Sequence, residues 1–213
     1  MKFSILPVTP YQQNCSLIWC EVTGKAVLVD PGGDMDRLLR EVTQREVHLE
    51  KLLLTHGHVD HVGAALELSR RVGVPILGPH AGDAYWLEKL PIQSQMFGFP
   101  PVPAFTPDQW LEDGDQVQVG EVVLDVIHCP GHTPGHVVFV DAQDRIAWVG
   151  DVLFVGSVGR TDFPGGSMQD LVRSIRSRLF PLGDDMRFVP GHGPMGSFGE
   201  ERLSNPYVGD QAE

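Results

Sequence analysis

The spacing of apolar and polar positions along this chain marks out its elements. Residues 3–8 and 14–22 read as two strands around a turn of Pro, Tyr, Gln and Asn, and residues 26–29 as a third, ending at Asp30-Pro31-Gly32-Gly33. Met35, Leu38, Leu39 and Val42 then recur at helical spacing, with Asp34 placed as the cap. The apolar run Leu52-Leu53-Leu54 predicts a buried strand, and Gly63-Ala64-Ala65-Leu66-Glu67-Leu68 opens a helix that ends near Gly73. A short strand at 74–77 and a short helix at 81–90 follow. Residues 91–109 hold five prolines and several aromatics, and predict an irregular loop that crosses between two halves and overhangs a site. Strands at 116–119, 122–128, 137–140 and 146–149 come next, then a helix at 168–180 with Leu171, Ile175 and Leu179 on one face. A last strand at 187–189 precedes Pro190-Gly191-His192-Gly193-Pro194, and the residues beyond are polar and short, leaving no room for a second domain.

Each half is a set of strands followed by βα units. That pattern predicts an α/β fold, two mixed sheets face to face with helices outside: a four-layer αββα sandwich in one domain over residues 1–213. At 42% hydrophobic and 21% charged residues the composition is that of a soluble globular chain, long enough to bury a full core. A formal net charge of -12 with no Lys/Arg run argues against a nucleic-acid partner. No stretch reaches transmembrane length and the first residues lack a signal-peptide apolar run, so the expectation is a cytoplasmic protein without a membrane partner. Cys15, Cys20 and Cys129 form no paired framework and read as buried, reduced thiols; Cys15 and Cys20 differ in strand parity and make poor joint ligands.

The chemistry concentrates in four loops at strand ends, where open α/β sheets place ligands. The first, Thr55-His56-Gly57-His58-Val59-Asp60-His61, packs three imidazoles and a carboxylate into six consecutive positions. In an extended segment His56, His58 and Asp60 point the same way and can converge, while His61 turns toward a second point. The others are Cys129-Pro130-Gly131-His132-Thr133-Pro134-Gly135-His136, Gly150-Asp151 and Pro190-Gly191-His192-Gly193. A glycine beside each of His132, Asp151 and His192 would let an ion approach the backbone. Five imidazoles and two carboxylates suffice for two ions such as Zn, Fe or Mn. A positive centre inside an acidic protein would attract an anionic substrate.

The HxHxDH loop, a later His, an Asp and a final His resemble the metallo-β-lactamase fold. Within it, residues 130–136 and Gly159-Arg160-Thr161-Asp162-Phe163 are similar to type II glyoxalases, the hydroxyacylglutathione hydrolases, chiefly the short bacterial members. The resemblance implies one metal on His56, His58 and His132, another on Asp60, His61 and His192, and Asp151 bridging them. It implies hydrolysis of an acyl-glutathione thioester such as S-lactoylglutathione by a hydroxide held between two divalent ions, zinc first, with Asp60 orienting the nucleophile.

Other residues receive lesser roles. His128 and His136 read as supporting or core residues, His48 and His80 as surface histidines, and Asp30 as a structural acid behind the ligands. Arg160 either pairs with Asp162 or meets a substrate carboxylate. Long type II glyoxalases grip glutathione with a C-terminal helical domain that this chain lacks room to copy. The alternative within the same fold is a mononuclear iron persulfide dioxygenase, which shares the Gly159–Phe163 motif; Asp60, His61 and His192 together favour two metals. A β-lactamase is disfavoured by the absent export signal, an RNA phosphodiesterase by charge, and a non-catalytic binding module by the complete ligand set.

Overall fold

A computed structural model describes residues 1–212 of the chain. Its first sheet has five strands in spatial order: β1 (Lys2–Val8), β2 (Gln13–Trp19), β3 (Lys25–Val29), β4 (His48–Leu53) and β5 (Ile76–Leu77). The first three pair antiparallel and the last three parallel. Helices α1 (Met35–Gln44), α2 (Val59–Val62) and α3 (Ala65–Val72) make the parallel crossovers, and α4 (Ala84–Glu88) and α5 (Leu90–Phe97) lead to the second half. There β6 (Gln116–Val119), β7 (Val122–His128), β8 (Val137–Asp141) and β9 (Ile146–Gly150) form a meander. A small hairpin of β10 (Leu153–Phe154) and β11 (Ser157–Val158) follows. After α6 (Met168–Ser174), β12 (Arg187–Pro190) joins β9 in parallel and β13 (Gly196–Ser197) closes the edge before α7 (Phe198–Ser204).

Strand parity separates three cores and so produces four layers. In β3, Ala26 and Leu28 pack with Leu38 of α1 and Leu68 of α3, whereas Val27 and Val29 face the opposite sheet. In β9, Ile146 and Trp148 fill that same inter-sheet core while Ala147 and Val149 pack under Leu171, Ile175 and Leu179. Each such buried aliphatic or aromatic side chain contributes about 1.5–3 kcal/mol of burial. The αββα expectation holds.

Several element boundaries move. The chain turns helical at Val59, earlier than the glycine-rich pattern suggests, because the His58 carbonyl already accepts the amides of His61 and Val62. Asp60 therefore sits on a helical turn, and the parity that grouped it with His56 and His58 does not apply. Asp34 does not cap α1 with its side chain; it adopts φ 51° and accepts the Thr9 amide instead. The 81–90 helix becomes two, extending to Phe97, so the irregular crossing begins at Gly98, whose left-handed φ of 70° ends α5. The 168–180 helix loosens after Ser174 into a wide turn in which the Phe180 amide reaches back to the Ile175 carbonyl. The C-terminal stretch is not featureless: Ser197 caps α7, and Phe198 stacks on Phe188 with centroids 5.8 Å apart. All three cysteines are free and buried.

Candidate metal centre

The four loops meet at the carboxyl ends of the two sheets and form two adjacent groups of ligand atoms, with a third set, Asp30, His56 and His61, drawing one histidine from each. The first comprises His56, His58 and His132, the second Asp60, His61 and His192; within each, one atom per residue lies within 4.8 Å of the others. In the first group, His56 Nε2 is 3.1 Å and His132 Nε2 3.0 Å from His58 Nδ1. The outer nitrogens are occupied: His132 Nδ1–H donates to the Arg160 carbonyl at 2.7 Å, and His56 Nδ1 meets the Thr55 hydroxyl at 3.0 Å. Burial pushes the His56 imidazole down and the His58 imidazole to about 3, so both are neutral bases with free lone pairs.

In the second group Asp30 plays the supporting part expected of it. Its Oδ2 accepts His61 Nδ1–H at 2.8 Å, while Thr55 donates to the same carboxylate through its amide at 2.7 Å and its hydroxyl at 2.6 Å. His61 Nε2 is thereby aimed at Asp151 Oδ1, 3.2 Å away. His192 Nδ1–H donates to the Tyr11 carbonyl at 3.1 Å, and its Nε2 approaches Asp60 Oδ2 at 3.2 Å and Asp151 Oδ2 at 3.8 Å. The other Asp151 oxygen environment is shared: its Oδ2 lies 3.7 Å from His132 Nε2. Asp151 thus stands between the two groups. Burial would raise its acid, but the imidazoles of His61, His132 and His192 outweigh that and hold it well below the usual carboxylate range. Burial likewise disfavours a charged His61, yet Asp151, Asp60 and Asp30 raise it well above an ordinary imidazole.

These residues fit cations. Three neutral buried imidazoles direct ring nitrogens at one point, and the buried His61 Nε2 and Asp151 Oδ1 face each other at 3.2 Å without a well-aligned hydrogen bond and have no other partner among the described residues. A positive ion satisfies both sets at once. Five nitrogens and two carboxylates suit Zn, Fe or Mn.

The glycines beside the ligands serve closer protein packing than the sequence suggested. A Cβ on Gly191 would fall 2.0 Å from Asp151 Oδ1, and one on Gly150, at φ 49°, would fall 2.6 Å from His136 Nε2. Gly150 and Gly191 thus make room for side chains of the site itself. His136 itself is fully buried, stacks on His56 at 4.7 Å and accepts the Asp151 amide at 3.1 Å, as a supporting residue should. His48 is exposed as expected, but His80 is half-buried: it stacks on His128 at 4.2 Å and meets Glu112 at 3.1 Å. Arg160 forms a two-point ion pair with Asp162 at 2.9 and 2.8 Å and lies over the Phe163 ring at 4.4 Å.

Asp83 was not singled out in the sequence. Fully buried, it accepts the Gly57 amide at 2.8 Å, the Gly135 amide at 2.6 Å and the Thr133 hydroxyl at 2.8 Å. It ties the His56/His58 loop to the His132 loop. No local pattern announces such a role, because its partners are two backbone amides and a hydroxyl far along the chain. Asn14 does the equivalent for the His192 loop, donating to the carbonyls of Pro190 at 3.0 Å and Gly193 at 2.9 Å.

The two groups open on a cavity of about 560 Å³ whose walls include Tyr11, Trp86, Phe99, Phe154, Val155 and Phe163. The size is that of a small-molecule site. No helix among the described residues is long and apolar enough to cross a membrane.

Residues 8–192 match the metallo-beta-lactamase superfamily. Over 213 residues the chain is 44% identical to a hydroxyacylglutathione hydrolase, GloC, of Haemophilus influenzae, covering 100% of both. Among solved structures, BLEG-1 B3 metallo-beta-lactamase superposes with a TM-score of 0.88 at 32% identity over 97% of this chain and 99% of that one. TTHA1623 in a di-iron-bound form superposes with a TM-score of 0.87 at 34% identity, over 96% of this chain and 100% of that one.

Proposed function

The chain belongs to the metallo-β-lactamase superfamily, and from that premise we propose that it is a binuclear metal-dependent hydrolase cleaving the thioester of an acyl-glutathione, with S-lactoylglutathione as the first substrate to test. The observation that carries this reading is the pair of three-residue ligand groups with Asp151 between them, opening on a small-molecule cavity. The full-length likeness to a hydroxyacylglutathione hydrolase supports the thioester. In the proposed site His56, His58 and His132 hold one ion, Asp60, His61 and His192 the other, and Asp151 both. Zinc is the first expectation; the di-iron form of a 34% identical structure supports iron as the alternative. We read residues 1–213 as one domain acting in the cytoplasm on a methylglyoxal-derived thioester.

Two bound divalent ions would lower the pKa of water to about 7 and polarise the thioester carbonyl. The chain's own residues do the rest. Asp60, whose carboxylate lines the cavity 3.2 Å from His192 Nε2, would orient the attacking oxygen. Oxygen from water joins the acyl carbon, the C–S bond breaks, and sulfur leaves as a thiolate that needs no strong acid. Trp86 and Phe163 flank His58, with centroids at 4.5 and 5.0 Å, and limit water on that side.

Elemental analysis of metal-replete protein, combined with a thioester assay, tests the reading. Close to two ions per chain and turnover of S-lactoylglutathione are expected. One iron per chain with oxygen uptake on glutathione persulfide would transfer the case to the dioxygenase.

A further inference from the structure

The cavity walls divide unequally between the two ligand groups. Beside His58 lie Trp86 and Phe163, with Arg160 over the latter at 4.4 Å. Arg160 is the one Lys or Arg side chain lining the cavity among the described residues; Asp162 engages its Nε and Nη2, which leaves Nη1 for another acceptor. Beside His192, outward of Asp60 and Asp151, the lining is mostly apolar, with Ser157 next to Phe154 as its polar member. Tyr11 stacks on Phe99 at 5.4 Å and 12°, Phe154 lies 6.4 Å from the His192 ring, and Phe97 and Val155 complete the rim. Tyr11 is 47% exposed, Phe97 38% and Val155 48%. Large side chains left bare together, continuous with a reactive centre, mark a surface that a ligand covers.

Resting on the thioesterase reading, we propose that the site prefers thioesters whose acyl arm is apolar and longer than lactoyl, the arm lying against Tyr11, Phe99, Phe97, Phe154 and Val155 on the His192 side. The anionic thiol arm takes the opposite side, toward Arg160. The charge distribution sets this polarity: a carboxylate on the His192 side would meet no side-chain cation, and an alkyl chain on the Arg160 side would bury a guanidinium. Covering one methylene in such a lining raises affinity by about threefold to fourfold.

The test is calorimetric titration of the metal-replete protein with S-methyl-, S-butyl- and S-hexylglutathione, thioethers that bind without being cleaved. Affinity should rise at least tenfold from methyl to hexyl. In Phe97→Ser and Val155→Thr, checked for unchanged thermal unfolding, that ratio should fall to about threefold or less. Phe97 meets the Tyr11 hydroxyl only through its backbone carbonyl, so that contact survives the first substitution. Arg160→Ala should weaken every member by one common factor. Equal affinity across the series, or a chain-length ratio that responds to Arg160→Ala and not to the rim variants, overturns the inference. Turnover of glutathione thioesters is measured alongside: a rising affinity with no thioester cleaved would sink the thioesterase reading and leave the apolar arm site standing.

Discussion

Asp83 provides the sharpest check on how the centre is held. Asp83→Ala removes the acceptor for the buried amides of Gly57 and Gly135 and for the Thr133 hydroxyl, at 2.8, 2.6 and 2.8 Å. A hydroxyl can turn to another partner, but a buried amide cannot, and each orphaned amide costs about 1–3 kcal/mol. The two together cost about 4 kcal/mol, which in a chain of this size lowers Tm by about 8–16 °C. Freed from one another, the loops of His58 and His132 should also bind metal roughly 10–100-fold more weakly. Asp83→Asn separates charge from geometry. Burial pushes the Asp83 acid from 3.8 up to about 6, against the three donors that favour its ionised form. A raised acid stabilises the fold fully below about pH 3.8, loses that contribution as pH climbs to about 6, and changes nothing above. The gap corresponds to about 3 kcal/mol. Asparagine does not titrate, so the stability difference between parent and Asp83→Asn should move by about that amount in favour of the variant between pH 4 and 7. Denaturant unfolding of metal-replete protein across this range, and chelator competition at pH 7.5, measure both effects. An alanine variant that melts within 2 °C of the parent with unchanged metal affinity would refute the clamp, and a pH-independent difference for asparagine would refute the raised acid.

His56→Ala and Asp151→Ala should each lose metal and nearly all turnover, whereas His80→Ala should keep its metal and lose its stacking on His128 and its contact with Glu112; elemental analysis decides, and a fully active Asp151→Ala would sink the assigned site. Gly191→Ala, whose Cβ would fall 2.0 Å from Asp151 Oδ1, should fold with a near-parental circular dichroism spectrum yet retain well under two metals. S-Lactoylglutathione should be turned over with a KM toward or above the upper end of the usual range of about 1 μM to 1 mM, since one cation lines the cavity; a micromolar KM would reveal a grip elsewhere. Arg160→Ala should raise that KM if Nη1 meets substrate, and steady-state kinetics beside a thermal melt distinguishes this from a loop-bracing role.

The residues proposed as ligands were legible as a set, which the structure gathers in one place, because they stand together or at strand ends: three histidines in six positions, each later one beside a glycine after an apolar run. The layer order was legible because strand alternation is a local property. What escaped depends on contacts across the fold. The grouping of Asp60 failed because one helical turn at Val59 rotates it away from His58, and glycine placement hid that turn. Asp83 and Asn14 act on backbone groups 26 or more residues away, for which no sequence motif exists. Helix α7 went unseen because its few apolar residues, Phe198 and Leu203, show no clear helical stripe, and the anchoring role of Phe198 emerges only with Phe188 placed against it.

Each ligand group draws on both halves of the chain. His56 and His58 follow β4 of the first sheet and His132 follows β7 of the second; Asp60 and His61 come from the first half and His192 from the end of β12. In the proposed centre every ion is therefore a cross-link between two sheets as well as a reagent. Neither sheet alone carries a full set, so a half-chain ending in the 98–109 crossing should bind metal poorly, and two separately made halves should reassociate most tightly when metal is supplied. At 100 times its Kd, each ion would add about 2.7 kcal/mol to the union of the sheets. A chelator would then act on this protein as a mild denaturant aimed at one seam.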